Sequence, residues 1–178
     1  MKAFTLIELL IVVAIIAILA AIALPNFLEA QVRAKVSRLK SDLRTCAVGV
    51  EAYAVDNNSY PWDCDPSGST EWDSWRQLTT PVAYLTRVFL DPYSTKMGPQ
   101  TPFDYGIQRN RPSPTQRDGW AAASVAWAML SVGPDRRTQW DWGTFGEVGY
   151  NLADQMALAT YDPTNGTLST GDIIRTSR

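Results

Sequence analysis

The first quarter of the chain carries two successive patterns of apolar residues. From Phe4 to Leu24 only Thr5 and Glu8 are polar. A helix of these 21 residues would be about 31 Å long, which matches the hydrocarbon thickness of a lipid bilayer. This first pattern predicts a helix that is buried in lipid or among other helices.

The second pattern follows Pro25, where apolar side chains return every three or four residues. This spacing predicts an amphipathic α-helix with one buried face. The turn-forming residues Asp56, Asn57 and Asn58 predict its end, shortly before Pro61. Together the two patterns predict one helix of about 50 residues, roughly 75 Å long. The positions of the buried face are Leu28, Val32, Val36, Leu39, Leu43, Cys46 or Ala47, Val50, and Tyr53 or Ala54.

The remaining residues predict a small head in which short strands cover the helix. A β-hairpin is predicted from the Asn165-Gly166 pair between two apolar stretches. The fold class is therefore α+β, a lollipop in which one long N-terminal helix packs on a small antiparallel sheet. The predicted elements are a short helix around Glu71–Leu78, a helical or extended element over Pro81–Leu90, strands over Phe103–Ile107 and Ala122–Val132, and hairpin arms Met156–Tyr161 and Thr167–Ile174.

Composition excludes several kinds of chemistry. The chain has no His, and its net charge is −2. It therefore lacks the commonest general base and metal ligand and has no basic excess that would bind nucleic acid. Two Cys without His do not make an ordinary zinc site. No nucleophile motif is present either, so the sequence predicts no enzymatic activity.

Three interpretations of the N-terminus compete. A secretory signal peptide has a shorter apolar stretch and a cleavage site after it, which Leu19-Ala20-Ala21 could supply. A plain membrane anchor explains the length but leaves the carboxylate of Glu8 in lipid, at a cost of about 2.5–3.5 kcal/mol. Cleavage between Ala3 and Phe4 would create a positive amine one helical turn from Glu8, in the same subunit or a stacked neighbour.

The stretch from Phe4 to Pro25 resembles the N-terminal signal of type IV pilins and type II secretion pseudopilins. The resemblance implies that a prepilin peptidase and methyltransferase removes residues 1–3 and methylates Phe4. It also implies that Glu8 directs assembly and that the helix melts locally before Pro25 in a filament. The family usually has Gly at the position of Ala3. The implied division is a leader at 1–3, a membrane or filament-core half at 4–25, an amphipathic half at 26–58, and a head at 59–178.

The resemblance further implies a structural subunit whose partners are identical copies of itself. Its precursor would lie in the inner membrane, and the assembled filament would be extracellular or periplasmic. Three alternatives stay open: a type IV pilus subunit, a major pseudopilin of a type II secretion system, and a membrane-tethered binding subunit at a filament tip.

Two further features of the head carry predictions. Cys46 and Cys64 form a disulfide if the head is exported, closing a loop of about 18 residues for roughly 3 kcal/mol; the alternative is two free thiols. The segment Leu130–Asp135 is similar to the Ser-x-Gly-x-Asp segment of major pseudopilins, whose following loop binds calcium. Asp135 and Asp141 are the candidate ligands, and the alternative is a turn in which Asp135 accepts backbone N–H groups. The Asn-x-Ser/Thr triplets at Asn57 and Asn165 are interpreted as turns.

Overall fold

The computed structural model describes residues 5–63, 71–94, 101–108, 120–122, 124–137, 160–162 and 170–177. Within these ranges the chain forms helix α1 (Leu6–Asn57), helix α2 (Glu71–Arg76) and strands β1 (Asp104–Ile107), β2 (Trp127–Ser131) and β3 (Ile173–Thr176). The strands form one antiparallel sheet in the order β1-β2-β3. The predicted α+β lollipop is confirmed.

Helix α1 is continuous over 52 residues and passes through Pro25. Thr5 caps its N-terminus, and Asn58 caps its C-terminus in the left-handed conformation (φ 51°). Asn tolerates this conformation better than most residues, so the turn formers end the helix where the sequence predicted. The short helix predicted around Glu71–Leu78 is also confirmed as α2.

The two halves of α1 have different environments. In the first half every described residue is exposed. In the second half one face is buried, and its members are Val36, Leu39, Leu43, Cys46, Ala47, Gly49 and Val50. This face enters a single hydrophobic core with side chains of the sheet, among them Tyr105, Trp127, Met129 and Ile173. The predicted amphipathic stripe is therefore the contact between helix and head from Val32 onward. Leu28, which was predicted as the first position of the buried face, is instead 52% exposed, because the head does not reach this part of the helix.

Strand β2 lies at the centre of the sheet and is buried along its whole length. Trp127 of β2 pairs with Ile107 of β1, and Ser131 pairs with Ile173 of β3. The strand begins five residues later than the predicted range Ala122–Val132. Residues 120–122 instead form a helical turn, which is closed by hydrogen bonds from Ser124 N to Ala121 O (2.9 Å) and from Val125 N to Trp120 O (3.0 Å).

The prediction of a helical or extended element over Pro81–Leu90 is wrong. This segment forms neither a helix nor a strand, apart from a single bridge between Leu90 and Pro102. Its apolar residues do not share one periodic face. Leu85 is buried against α1, and its N–H donates to Leu78 O (2.8 Å). The apolar residues of this segment are thus fixed one at a time against the core.

The predicted β-hairpin is also corrected where the structure describes it. The Asn165-Gly166 turn lies outside the described residues. The bridge between the two arms, Thr160 with Asp172, is parallel, whereas the arms of a hairpin are antiparallel. The C-terminal arm begins its ladder at Ile173 and pairs with β2 instead.

Gly49 permits Leu85 to approach α1 closely. A Cβ at Gly49 would lie 2.7 Å from Leu85 Cδ2 and 2.8 Å from Leu85 Cγ. The substitution Gly49→Ala therefore has two opposing effects on the stability of the folded chain. Alanine favours the helix by roughly 1 kcal/mol, whereas overpacking a core costs roughly 1–3 kcal/mol.

We expect Gly49→Ala to lower the melting temperature of the full-length chain in detergent, and to raise it when Leu85→Ala is already present. Thermal unfolding followed by near-UV circular dichroism measures both. The substitution Thr45→Ala, on the exposed side of the same helix, serves as a control. A change of the same sign in both backgrounds would show that Leu85 does not control the tolerance at this position.

Candidate assembly site

The first half of α1 presents an apolar surface with no partner among the described residues. Fifteen large apolar side chains between Leu6 and Leu28 are 46% to 79% exposed. By length and composition this helix can cross a membrane. Exposed apolar area of this extent is a surface for lipid or for other apolar helices.

Glu8 lies near the start of this surface, where Thr5 holds its carboxylate. Oε2 of Glu8 accepts from Thr5 N (2.8 Å) and from Thr5 Oγ1 (2.7 Å), while Glu8 N donates to Thr5 Oγ1 (3.3 Å). This is a capping box, which satisfies backbone N–H groups at the helix start. The carboxylate at the apolar end of the helix is therefore hydrogen-bonded inside its own subunit.

Pro25 lies within α1 without breaking it. Because proline has no N–H, the carbonyl of Ala21 lacks the usual helical donor. The predicted melting of the helix before Pro25 concerns a filament, and in the single subunit the segment is helical. The processing residues Ala3 and Phe4 lie outside the described residues, so the predicted cleavage point stays a prediction.

A group of polar contacts joins the end of α1 to the head, and the sequence analysis missed it. Glu51 accepts from Trp127 Nε1 through Oε1 (2.7 Å) and from the Tyr60 hydroxyl through Oε2 (3.4 Å). Tyr84 donates its hydroxyl to Asp56 Oδ2 (3.0 Å). The available signal was a glutamate beside the buried stripe of α1, opposite a head with many aromatic hydroxyl and indole donors.

Cys46 belongs to the buried face of α1 and has no exposed surface. Burial, together with the nearby charge of Asp42, raises the pKa of this thiol to about 12. Cys64 lies outside the described residues. The disulfide between Cys46 and Cys64 therefore stays a prediction.

Asp91 organises the segment that contains Ser131. Its carboxylate is buried and accepts from Ser131 Oγ (2.7 Å), Tyr93 N (2.8 Å) and Val132 N (3.3 Å). Gly133 follows with φ 70°, and a Cβ there would collide with the carbonyl oxygen of Gly171. Asp91 was not among the candidate residues from the sequence, because a buried partner 40 residues away leaves no local signal.

The predicted calcium ligands are only partly described. Oδ1 of Asp135 accepts from Arg137 N (3.1 Å), which is the turn that we gave as the alternative. Asp141 lies outside the described residues. Within the described part of the chain no three carboxylate, thiol or imidazole groups lie together as a metal site. Calcium binding therefore stays a prediction.

This geometry defines a class of protein with a small head and one long helix. The first half of the helix is apolar on all sides, and one face of the second half is buried in the core of the head. Residues 1–24 match the family described as the prokaryotic N-terminal methylation motif. No solved structure is significantly similar to the chain.

Three curated relatives match different lengths of the chain. The type IV wide pilus major component PilA4 of Thermus thermophilus is 54% identical over 59 residues, 33% of this chain and 45% of that protein. The type IV major pilin protein PilA of Myxococcus xanthus is 48% identical over 59 residues, 33% of this chain and 27% of that protein. The match thus spans less than half the length of either pilin.

The third relative matches into the head. The type II secretion system core protein G of Pseudomonas aeruginosa is 31% identical over 114 residues, 57% of this chain and 78% of that protein. The chain belongs to the family of type IV pilins and type II secretion pseudopilins.

The buried carboxyl of Asp91 generates a prediction about pH. Burial raises its pKa, and the hydrogen bonds from Tyr93, Ser131 and Val132 oppose this only in part. The folded chain therefore retains a proton that the unfolded chain has already released. Stability then falls as the pH rises from about 4, the ordinary pKa of Asp, through the raised pKa of the folded state.

We expect Asp91→Asn to remove this part of the decline and Ser131→Ala to steepen it, because Ser131 donates to the ionised carboxylate. Chemical unfolding of the full-length chain in detergent between pH 4 and pH 8 gives the slopes. If Asp91→Asn unfolds with the slope of the wild type, Asp91 is not the group that titrates.

Proposed function

We propose that the chain is a structural subunit that assembles through its N-terminal helix into a type IV pilus-like filament. The observation that supports this proposal most directly is the surface of fifteen exposed apolar side chains with one carboxylate at its end. A head packed on the second half of the same helix leaves this surface available to other subunits.

The apolar surface alone does not drive subunits out of the membrane. Lipid tails are as apolar as leucine, so packing and polar contacts drive helix association in a bilayer. Glu8 supplies such a contact. Its ionised carboxylate costs about 2.5–3.5 kcal/mol in lipid, and a positive amine from a neighbouring subunit would lower that cost. Glu8 therefore favours the filament and sets the axial offset between subunits.

The amine requires removal of residues 1–3. We infer that a prepilin peptidase cleaves between Ala3 and Phe4 and methylates Phe4, with the N-terminus on the cytoplasmic side, where Lys2 is favoured. The precursor then lies in the inner membrane with its head on the far side.

Processing is tested by mass spectrometry of the N-terminus after expression with a prepilin peptidase. We expect a chain that starts at a methylated Phe4. Expression in the same cells without the peptidase should give a chain that still carries residues 1–3. Cleavage after Ala20 or Ala21 would instead identify a secretory signal peptide and contradict the proposal.

Assembly is tested by Glu8→Gln, which keeps the size of the side chain and removes its charge. We expect at least a tenfold loss of the chain from sheared or purified filaments, with unchanged amounts in the membrane. Glu29→Gln removes one exposed carboxylate further along α1 and is the matched control. Filament yields that are equal in the two variants would show that the charge of Glu8 does not direct assembly.

A type II secretion pseudopilin is the second candidate. It is supported by the relative named core protein G, whose similarity continues into the head. Deletion of the gene separates the two: loss of surface filaments favours the pilus, and retention of secreted proteins inside the cell favours the pseudopilus. A few copies per filament would instead indicate a tip subunit.

A further inference from the structure

Positive charge is concentrated where α1 enters the head. Between Arg33 and Arg44 the helix carries five basic residues and one acidic residue, Asp42, although the whole chain has a net charge of −2. Arg87 lies beside this stretch, where it lines a groove with Lys35 and Arg38. We define the basic belt as Arg33, Lys35, Arg38, Lys40, Arg44 and Arg87, all of which are exposed.

The belt flanks the buried face of α1 on both sides. On one side a groove of about 420 Å³ is lined by Lys35, Arg38 and Arg87, by one acidic residue, Asp42, and by apolar side chains such as Val88 and Phe89. On the other side a groove of about 380 Å³ is lined by Arg33, Lys40, Arg44 and Tyr161. Each groove therefore brings three cations to one opening.

Most of these cations have no ion-pair partner among the described residues. Arg33 pairs with Glu29 at 3.3 Å, and both side chains are about half exposed (61% and 48%). Within the same ranges no salt bridge involves Lys35, Arg38, Lys40, Arg44 or Arg87. The guanidinium of Arg87 lies 4.9 Å from the centre of the Phe89 ring, which positions it without neutralising its charge. Apart from Arg33, the residues of the belt thus have no ion-pair partner within the described residues.

The membrane anchor fixes the height of the belt. Leu28 is the last large exposed apolar residue of the first half of α1. In a straight helix Arg33 follows it by about 7.5 Å and Lys40 by about 18 Å. The polar region of each leaflet extends about 5–7 Å beyond the hydrocarbon, and exposed charges act over about 8–10 Å at moderate salt. The start of the belt therefore lies within electrostatic reach of the lipid phosphates, whether the hydrocarbon ends at Leu28 or at Leu24.

We propose that the basic belt binds the phosphates of anionic lipid headgroups in the leaflet on the side of the head. Charge complementarity and the height set by the anchor favour lipid over other anions. The bound lipids hold the head against the membrane surface, and a subunit that leaves the membrane must release them. The proposal rests on the insertion of α1 in a membrane, which is part of the proposed function, but not on filament assembly.

Electron spin resonance of spin-labelled lipids tests the proposal. The full-length chain is reconstituted in phosphatidylcholine vesicles with trace amounts of spin-labelled phosphatidylglycerol or phosphatidylcholine. We expect the wild type to immobilise phosphatidylglycerol about three- to tenfold more strongly than phosphatidylcholine, and 1 M salt to abolish the preference, because surface electrostatics of this kind are screened by ions.

A matched pair of triple variants locates the effect. Lys35→Gln, Arg38→Gln and Arg87→Gln together remove the three positive charges of one groove and should reduce the preference to less than half. Arg76→Gln, Arg137→Gln and Arg175→Gln remove the same charge from exposed positions outside the belt and should leave it unchanged. Near-UV circular dichroism verifies that both variants keep a folded head. Equal preferences in the two variants overturn the proposal.

Two other occupants are distinguished in the same vesicles. If inorganic phosphate abolishes the preference at an ionic strength where chloride does not, the belt is a site for free phosphate, and the lipid proposal is overturned. If the variants change cross-linking between subunits but not lipid preference, the occupant is a second copy, which also overturns it. Loss of the chain from vesicles in alkaline carbonate would contradict membrane anchoring itself, and with it part of the proposed function.

Discussion

The burial of one face of α1 by the head is the contact on which the rest of the structure depends. The three-stranded sheet has one central strand, β2, and its core is completed by helix residues from Val36 to Val50. Three strands are close to the smallest sheet that is stable independently. The helix thus contributes to the stability of the head, and the head fixes the direction in which the apolar half leaves it.

The two ends of α1 differ in how strongly other residues constrain them. At the head, α1 is held by buried apolar contacts and by the hydrogen bond from Trp127 to Glu51. A shift of the helix along its axis would expose apolar core residues to water. At the far end only the contacts between Thr5 and Glu8 constrain it among the described residues. Between the ends, Pro25 leaves one carbonyl without its donor. Deformation of the helix is therefore least costly near Pro25, in the last part of the apolar half.

The sequence predicted features that depend on neighbours along the chain. The two apolar patterns correctly predicted both halves of α1, and the turn-forming residues Asp56–Asn58 correctly predicted where it ends. The prediction failed where distant residues decide the structure. Trp120 is completely buried and holds a turn where a strand was predicted, and Asp91 binds Ser131 from 40 residues away. For the candidate site, Glu8 was evident as a lone carboxylate in an apolar stretch, whereas Glu51 could be assigned only once Trp127 was placed.

The distribution of aromatic residues has a spectroscopic consequence. The chain has seven Trp, and none lies in α1. In the head, Trp75, Trp120 and Trp127 are at most 1% exposed, whereas Trp62 is 55% exposed. Tryptophan emission therefore reports the integrity of the head, while far-ultraviolet ellipticity is dominated by the 52-residue helix. A loss of ellipticity at constant emission wavelength would be the signature of a helix that unwinds while its head stays folded.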